Sequence, residues 1–402
     1  MADPNEETIT FPGADGHQLA AVLERPPGPI RACAVFAHCF TCSKDLRALR
    51  RIADALVGHG IATLRFDFTG LGESEGEFAD TTFSSNVADL VAAADWLREH
   101  HAAPSLLIGH SLGGAACLAA APRIEEVKAV ATIGAPADPE HVEKLLAGSK
   151  DEIEKEGEAE VKIAGRRFRI RKQFLDDLRE HCSAERIAKI GRALLLFHSP
   201  QDNVVGIENA KAIYQAARHP KSFVSLDGAD HLLSNPADAG YVANVLAAWA
   251  ERYVPMATAE VEEGYVVVEG RQGLQQHVQA GPHAFLADEP KSVGGTATGP
   301  TPYDLLLAAL GSCTTMTLRM YANHKKWPLE AVRVTLQHER RHAEDCDDCE
   351  KTGKKIDVLT RRIEIEGELD EEQRKRMMQI ADKCPVHKTL HGEIHVESEL
   401  VS

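Results

Sequence analysis

Six short apolar runs between residues 32 and 226 constrain the fold of this chain more than any other feature. They are almost continuously hydrophobic, which is typical of strands buried on both faces of a parallel sheet. Between them, segments such as Asp45–Val57 and Asn86–Glu99 carry apolar residues at helical spacing. This alternation predicts a doubly wound α/β sheet with right-handed crossovers. The runs are residues 32–38, 62–68, 105–111, 129–135, 193–199 and 221–226.

The composition limits which classes of partner and which cellular compartment we expect for this protein. The net charge of −16 disfavours nucleic acid and anionic membrane surfaces as partners. The polar, acidic N-terminus does not resemble a targeting signal, and apolar stretches such as Leu305–Leu310 are too short to span a bilayer. Nine cysteines in 402 residues do not make a disulfide scaffold, so we expect reduced thiols in a cytoplasmic enzyme.

One segment interrupts the strand–helix alternation. Residues 137–190 carry dense charge where a short connection is expected. An insertion of this size between two strands is most simply a helical lid over the site. The alternative is a solvated helical decoration without a gating role.

The pattern changes after a predicted helix at Ala237–Tyr253, so we predict a first domain over residues 1–254 and a linker at 255–264. The second domain, 265–402, is predicted as α+β around a long apolar helix at Thr301–Asn323, which should be buried because it is apolar on almost every side. Its other predicted elements are strands within 264–287, at 332–338, at 361–369 and at 393–400, and a helix at 370–382.

A possible nucleophile lies where one of the buried strands gives way to a helix. Residues 109–113 read Gly-His-Ser-Leu-Gly, the G-x-S-x-G form, with Ser111 at its centre. The glycines suit a sharp turn in which larger side chains would collide with the neighbouring strand and helix. The motif alone is only suggestive, but the preceding strand and the small-residue helix after it strengthen the prediction.

A serine nucleophile needs a base, and that base needs an acid to orient it, in the chain order Ser, acid, His. Asp202 follows the apolar run at 193–199 directly, and His231 follows the next run. Both fall at the C-terminal ends of predicted strands, where such sheets hold ligands. Asp227 is a spare acid, whereas Asp230 is adjacent to His231 and badly placed to reach its ring.

Acyl transfer also requires backbone N–H donors that face the developing oxyanion. Leu112 supplies one, and Phe40 is our choice for the other, with Cys39 second. His38 is expected to support this loop by hydrogen bonding, and a role as base is less favoured. Asp67 and residues 70–74 are interpreted as scaffolding.

These motifs together resemble the successive landmarks of α/β-hydrolases over about residues 5–253: HCFTCSKD, RFDFTGLGESEG, GHSLGG, SPQD and GADH. The resemblance implies hydrolysis of carboxylic esters or related acyl compounds through an acyl-enzyme, without a cofactor. It leaves the acid and the alcohol of the small-molecule ester open.

The second domain contains two cysteines associated with predicted helices, Cys313 and Cys384. They could meet as a redox pair, although spacing alone favours two small buried hydrophobes. The segments GPTPYDLLLAALGSCTTMTL and IADKCPVHKTL, with EGRQG at 269–273, resemble the OsmC/Ohr family over about residues 257–402.

That resemblance implies reduction of organic hydroperoxides, with Cys313 peroxidatic, Cys384 resolving and Arg271 orienting the peroxide. It also implies an intertwined homodimer and a dithiol reductant. In peroxidase members a glutamate ten residues before the first cysteine holds the arginine. Here that position is Tyr303, so Asp304 either substitutes for the glutamate or simply caps its helix.

A further cluster has the spacing H-x3-H-x3-C-x2-C: His338, His342, Cys346 and Cys349. This allows a Cys2His2 zinc site, and the acidic surroundings would favour a cation. The gap from histidine to cysteine is shorter than in usual zinc patterns, so a solvated acidic loop is the preferred interpretation and no metal is expected.

Three hypotheses follow from these features. The first is an esterase joined to a peroxide-reducing domain. The second keeps the esterase but makes the C-terminal domain a module for dimerisation and substrate binding. The third, a hydrolase fold degenerated into a binding protein, is opposed by the complete set of triad residues. Transfer of the acyl group to acceptors other than water stays open.

Overall fold

The computed structural model describes residues 6–39, 43–137, 150–163, 166–181, 184–257, 261–271, 273–342 and 355–401. Contacts divide the chain into two compact units, Met1–Phe285 and Leu286–Ser402. The division falls later than the predicted linker at 255–264, so residues 265–285 group with the first unit.

An eight-stranded sheet with the order β1-β2-β4-β3-β5-β6-β9-β10 forms the centre of the first unit. β1 and β2 pair antiparallel, and β2 pairs antiparallel with β4. From β4 to β10 every pairing is parallel. The predicted doubly wound sheet is therefore confirmed. The strands are β1 Glu6–Pro12, β2 Gln18–Glu24, β3 Ala32–Ala37, β4 Ile61–Phe66, β5 Leu106–His110, β6 Ala129–Ile133, β9 Ala193–His198 and β10 Lys221–Ser225.

Helices cover both faces of this sheet, as the continuously apolar strands require. On one face, α1 (Arg47–Gly58) and α8 (Pro236–Tyr253) share a hydrophobic cluster with alternate strand residues. On the other face, α2 (Phe83–His100) and α3 (Leu112–Ala120) pack into a second cluster. A further helix, α7 (Glu208–Ala216), lies between β9 and β10 in the chain.

The insertion is built from helices and a hairpin: α4 (Lys150–Glu156), β7 (Glu158–Ile163), β8 (Arg166–Arg171), α5 (Lys172–His181) and α6 (Ala184–Ala188). Its apolar side chains are buried in the same cluster as those of α2 and α3, among them Ile153, Val161, Ile170, Phe174 and Leu178. The described part of the insertion is therefore packed against the body of the first unit and is not a free solvated decoration.

Three short strands follow the eight-stranded sheet in the chain: β11 (Val266–Glu269), β12 (Gln276–Ala280) and β13 (His283–Ala287). They form a three-stranded sheet in that order. The sequence predicted strands within 264–287, and the turn at Gly281, which has a φ of 56°, separates the second strand from the third.

The second unit contains the helix α9 (Pro302–Lys325), the long antiparallel hairpin of β14 (Leu329–His342) and β15 (Lys355–Gly367), and the helices α10 (Glu371–Ala381) and α11 (Pro385–His391). A small core joins α9, the hairpin and α10, with Leu318, Ala322 and Met377 at its centre. The predicted strand at 393–400 is wrong: these residues are exposed and take no strand conformation.

The apolar helix α9 is less buried than its composition predicts. One face packs on the hairpin and α10, but Tyr303, Leu306, Met316 and Met320 are exposed. Among the described helices, α9 is the one that is long and apolar enough to cross a membrane by length and composition, with 28% of its apolar window buried. Such a helix is weak evidence of a membrane span, since the core helix of a soluble protein passes the same test. The expectation of a fully buried helix is therefore wrong for the single chain.

Candidate active site

Ser111 occupies a strained turn between β5 and α3. Its φ of 54° lies in the left-handed region that non-glycine residues rarely adopt. Both flanking positions must be glycine because a side chain would not fit. A Cβ at Gly109 would lie 2.4 Å from the carbonyl oxygen of Gly113, and a Cβ at Gly113 would lie 2.4 Å from the carbonyl oxygen of His38. The backbone N–H of Ser111 donates to the carbonyl oxygen of Ile133 at 2.8 Å, which fixes the turn to β6.

The structure brings together Asp202 and His231, which are 29 residues apart in the chain. His231 Nδ1 lies 2.7 Å from Asp202 Oδ2, and both side chains are more than nine-tenths buried. Asp202 Oδ1 accepts the backbone N–H groups of Val204 and Val205, each at 2.9 Å. Burial by itself would raise the pKa of Asp202, but the contact with His231 and these two donors hold it below its usual range.

The two rival acids make other contacts. Asp230 Oδ1 accepts the backbone N–H of Ser234, and Asp227 Oδ1 accepts the hydroxyl of Ser225. Asp202 is therefore the carboxylate that is hydrogen-bonded to the ring of His231. Since β5, β6, β9 and β10 are parallel neighbours, Ser111, Asp202 and His231 all follow strand ends at one edge of the sheet.

Sequence reasoning missed two histidines next to this site. His110 Nε2 donates to the carbonyl oxygen of His231, and His198 Nε2 donates to that of Val205, both at 2.7 Å. Both residues were visible in the motifs GHSLGG and FHSPQD. The partner of His110 lies 121 residues later in the chain, and the partner of His198 lies seven residues later in a turn without regular structure, so no helical or strand periodicity indicated either contact.

For the oxyanion donors, Leu112 is the first residue of α3, where a backbone N–H has no partner within the helix. Phe40 lies outside the described residues. His38, two residues before Phe40, is buried and donates from Nδ1 to the carbonyl oxygen of Cys39 at 2.6 Å. Cys39, the second choice, is disulfide-bonded, so the expectation of reduced cysteines is wrong at this position.

Asp67, directly after β4, is bonded to the backbone on both sides of that strand in the chain. Its Oδ1 accepts the backbone N–H of Lys44 at 2.7 Å, and its Oδ2 accepts that of Glu73 at 3.1 Å. His38 Nε2 faces the same carboxylate at 3.3 Å. Burial would raise the pKa of Asp67, but His38 and the two backbone donors lower it to about 2. The interpretation of Asp67 as scaffolding fits these contacts.

Two contacts fasten the insertion to α2 and to the segment that precedes it. Asp177 on α5 accepts the backbone N–H of Ser84 at 2.5 Å and its hydroxyl at 2.7 Å, at the first turn of α2. Arg171 pairs with Asp80, just before α2. The insertion is therefore held to α2 by hydrogen bonds and ion pairs as well as by apolar packing.

The cysteines of the second unit also meet. Cys384 is buried, lies between α10 and α11, and is hydrogen-bonded to Cys313, which is half-buried on α9. Burial would raise the pKa of the Cys384 thiol, but the backbone N–H of His387 and the side chains of Cys313 and Thr314 lower it. The spacing-based preference for two unrelated buried thiols is therefore not what the structure shows.

An arginine other than the predicted Arg271 lies near this pair and bonds the residues around it. Arg361 on β15 donates to Thr314 Oγ1 at 2.9 Å, to the carbonyl oxygen of Ala381 at 3.1 Å and to Asp382 at 2.7 Å. Thr314 Oγ1 in turn lies 3.9 Å from Cys384 Sγ. Arg271 is exposed in the first unit, so its predicted role stays a prediction.

Asp304 acts as a helix cap. Its Oδ2 accepts both the backbone N–H and the hydroxyl of Thr301, at 3.0 and 2.7 Å. These bonds lower its pKa. Tyr303, at the position of the family's glutamate, stacks on His338 with ring centroids 4.0 Å apart.

The possible zinc ligands are only partly within the described residues. His338 Nε2 is hydrogen-bonded to Asp357 at 2.9 Å, so this nitrogen already has a partner. His342 is the last residue of β14, and Cys346 and Cys349 lie outside the described residues. The zinc hypothesis remains untested.

Comparison with known proteins separates the chain into two parts. The serine aminopeptidase S33 family matches residues 28–150, and the OsmC-like protein family matches residues 295–399. Among curated proteins, the mitochondrial palmitoyl-protein thioesterase ABHD10 of Mus musculus is 29% identical over 186 residues. This match covers 44% of the chain and 62% of the thioesterase, so the chain spans less than two thirds of that protein.

Solved structures match the first part. The esterase domain of a Rhodothermus marinus protein is 54% identical, with a TM-score of 0.52, and the match covers 62% of this chain and 98% of that one. The mouse α/β hydrolase domain-containing protein 10 is 22% identical with a TM-score of 0.51, over 61% of this chain and 99% of that one, and shows the fold alone. The chain therefore belongs to the α/β-hydrolase family in its N-terminal part and to the OsmC family in its C-terminal part.

Proposed function

We propose that the N-terminal part is a serine esterase in which Ser111 attacks the carbonyl carbon of a small-molecule carboxylic ester. His231 takes the proton of the Ser111 hydroxyl and later returns it to the leaving alcohol, while Asp202 orients the ring and stabilises its charged form. Water then attacks the acyl-enzyme, with His231 again as base. The observation that carries this proposal is the 2.7 Å contact between Asp202 and His231 at the strand edge that also bears the strained Ser111.

The oxyanion formed in each step needs preorganised donors. We assign one donor to the N–H of Leu112, at the N-terminus of α3, and the other to the N–H of Phe40. A neutral hydrogen-bonded base and backbone donors are sufficient for this chemistry, so the proposed reaction uses no cofactor.

A fluorophosphonate probe tests the nucleophile. We expect stoichiometric labelling of the full-length chain and none in Ser111→Ala. Labelling that survives this substitution, or a wild-type chain that does not react, would contradict the serine-hydrolase proposal. It would instead favour a binding protein with a degenerate hydrolase fold.

A panel of esters graded by acyl length, run on the same two proteins, tests the substrate class. We include thioesters of equal acyl length, because one curated relative is named a palmitoyl-protein thioesterase. Faster turnover of the oxygen esters supports the proposal, and a strong preference for thioesters would replace it with a thioesterase. Amine and peroxide acceptors added to the panel test acyl transfer to groups other than water.

For the OsmC-like part we propose thiol-dependent reduction of organic hydroperoxides, supported by the contact between Cys313 and Cys384. The Cys313 thiolate attacks the O–O bond, releasing an alcohol and leaving a sulfenic acid. Cys384 condenses with the sulfenic acid, expelling water and forming a disulfide. A dithiol reductant returns both thiols.

Cumene hydroperoxide consumption in the presence of dithiothreitol tests this step. We expect it to be lost in Cys313→Ser and to slow in Cys384→Ser. Activity that persists in Cys313→Ser shows that the peroxidatic cysteine is wrongly assigned. No activity in the wild-type chain favours the alternative role in dimerisation and substrate binding.

We also propose that the chain is a homodimer through its OsmC-like part. The support is the apolar, exposed face of α9 that contains Leu306, Met316 and Met320. Analytical ultracentrifugation should give a dimer for the wild type and a monomer for Met316→Glu, with Lys325→Glu on the same helix as the control. A wild-type monomer would contradict this proposal.

A further inference from the structure

Two buried histidines outside the proposed triad are bonded to the segments that carry it. His110 is the last residue of β5 and directly precedes Ser111, while His198 is the last residue of β9, four residues before Asp202. Each is only 1% exposed. Burying an imidazole costs free energy unless its polar nitrogens find partners. The Nε2 of each ring has such a partner, whereas Nδ1 of His110 has none among the described residues.

The partner of His110 is the backbone of His231. Its Nε2 lies 2.7 Å from the His231 carbonyl oxygen, and a carbonyl oxygen can only accept, so the proton of the bond is on Nε2. Burial, followed by the nearby His231, lowers the pKa of His110 to about 3, which keeps the ring neutral. The two rings also contact each other, with centroids 4.9 Å apart. His110 therefore restrains the residue whose ring must face Ser111.

The partner of His198 is the turn that holds Asp202. Its Nε2 donates to the carbonyl oxygen of Val205 at 2.7 Å, and the N–H of Val205 donates to Asp202 Oδ1 at 2.9 Å. The distance from His198 Nε2 to Asp202 Oδ2 is 3.8 Å, too long for a hydrogen bond. His198 thus acts on the backbone turn and not on the carboxylate directly.

These contacts restrain both partners of the hydrogen bond between Asp202 and His231. The bond joins two different connections, one after β9 and one after β10, and neither connection contains regular structure at these residues. We propose that His110 and His198 are positioning residues of the Ser111 site: His110 fixes the His231 loop through its carbonyl group, and His198 fixes the Asp202 turn through Val205. This inference rests on the proposed serine esterase.

Phenylalanine keeps the approximate shape of the ring and removes the N–H donor, so His110→Phe and His198→Phe test the bonds. A misplacement of about 1 Å can cost about 100-fold in rate. We expect kcat for p-nitrophenyl acetate to fall by about 10- to 100-fold in each variant, with KM changed by less than about 3-fold. His110→Gln supplies a new donor at this position and should recover part of the loss.

His100→Phe is the matched control. His100 is exposed on α2, and its Nδ1 also bonds a backbone carbonyl, that of Trp96, at 2.9 Å. This variant loses a bond of the same type away from the site and should keep the wild-type kcat. Urea unfolding of every variant shows whether a lower kcat simply reflects a smaller fraction of folded protein.

A second set of variants, made in the His231→Ala protein, distinguishes a positioning role of His110 from a general role in packing. In His231→Ala there is no ring to orient, so adding His110→Phe should change the residual rate by less than about 2-fold. A full additional loss in this background would overturn the proposal, as would an unchanged kcat in both single variants. Labelling of the wild type by a fluorophosphonate, measured in the same series, tests the serine esterase separately: an unreactive wild type contradicts the enzyme itself, not the role of the two histidines.

Discussion

Asp202 and His231 meet through a 2.7 Å contact between a carboxylate oxygen and Nδ1, and the other oxygen of Asp202 is held by two backbone N–H groups. The carboxylate is therefore oriented before it receives the histidine. When the ring of His231 is neutral, this contact places its proton on Nδ1, and Nε2 is then the nitrogen that the proposed esterase mechanism uses as the base.

Replacing Asp202 by asparagine tests that arrangement. The amide nitrogen would face Nδ1 of His231 and favour the wrong tautomer, so we expect kcat to fall by roughly 10²- to 10⁴-fold with little change in KM. Steady-state ester hydrolysis measures this. Asp227→Asn, which alters a carboxylate bonded to Ser225, is the control and should keep most of its activity. A near-wild-type kcat in Asp202→Asn would exclude it as the acid.

Gly134 lies beside the same pair, where a side chain would crowd both residues. Its φ is +56°, and a Cβ there would lie 3.2 Å from Asp202 Oδ2 and 3.3 Å from His231 Nδ1. Gly134→Ala should lower kcat by at least about 10-fold and stability by about 1 kcal/mol.

Gly16→Ala is the matched control for this variant. Gly16 has a φ of +82° with no neighbour within 4 Å, so the substitution carries the backbone cost without the crowding. It should lose similar stability in urea and keep its kcat. Equal kcat values for the two alanine variants would show that the space beside Asp202 is not critical.

The bond from Asp177 to Ser84 fastens the insertion to α2. Asp177→Ala removes the acceptor of two hydrogen bonds at a helix N-terminus, and we expect a loss of about 1–2 kcal/mol in urea unfolding and faster proteolysis within 150–181. In a double-mutant cycle with Ser84→Ala, the coupling should exceed about 0.5 kcal/mol. Additive losses would mean that the two residues act independently.

Asp67 makes stability depend on pH in a defined direction. Its pKa is lowered from 3.8 to about 2 in the folded state, so its contribution is complete above about pH 4 and is lost as the pH falls toward 2. The free energy of unfolding of the wild type should exceed that of Asp67→Asn by about 2 kcal/mol near pH 7, and this difference should narrow below pH 4. Urea unfolding across this range measures the difference, and a difference that does not change with pH would contradict the assignment.

Arg361 joins α9 to the segment that carries Cys384. Arg361→Met leaves the carbonyl oxygen of Ala381 and the side chain of Asp382 without this donor, so the second unit should lose about 1–3 kcal/mol. The rate at which iodoacetamide alkylates Cys384 should also differ from the wild-type rate, because Thr314 loses its hydrogen bond to Arg361. The adjacent and exposed Arg362→Met should behave as wild type in both measurements.

Local patterns predicted most of the first unit. Strands buried on both faces require continuous apolar runs, and all six predicted runs became strands of the sheet. The helix predicted at Thr301–Asn323 also formed, as α9, and Asp304 caps it, which is one of the two roles that the sequence left open. The strand at 393–400 failed because an alternating pattern specifies a strand only where a neighbour exists to pair with it.

The sequence by itself thus determined the alternation of strands and helices, the strained position of Ser111 and the order of the residues proposed to act with it, because each depends on nearby residues. Only the tertiary structure decided which side chains meet: His110 with His231 across 121 residues, Asp177 with Ser84, and Arg361 with Thr314. Such contacts depend on the packing of distant elements in three dimensions. No local spacing encodes that packing.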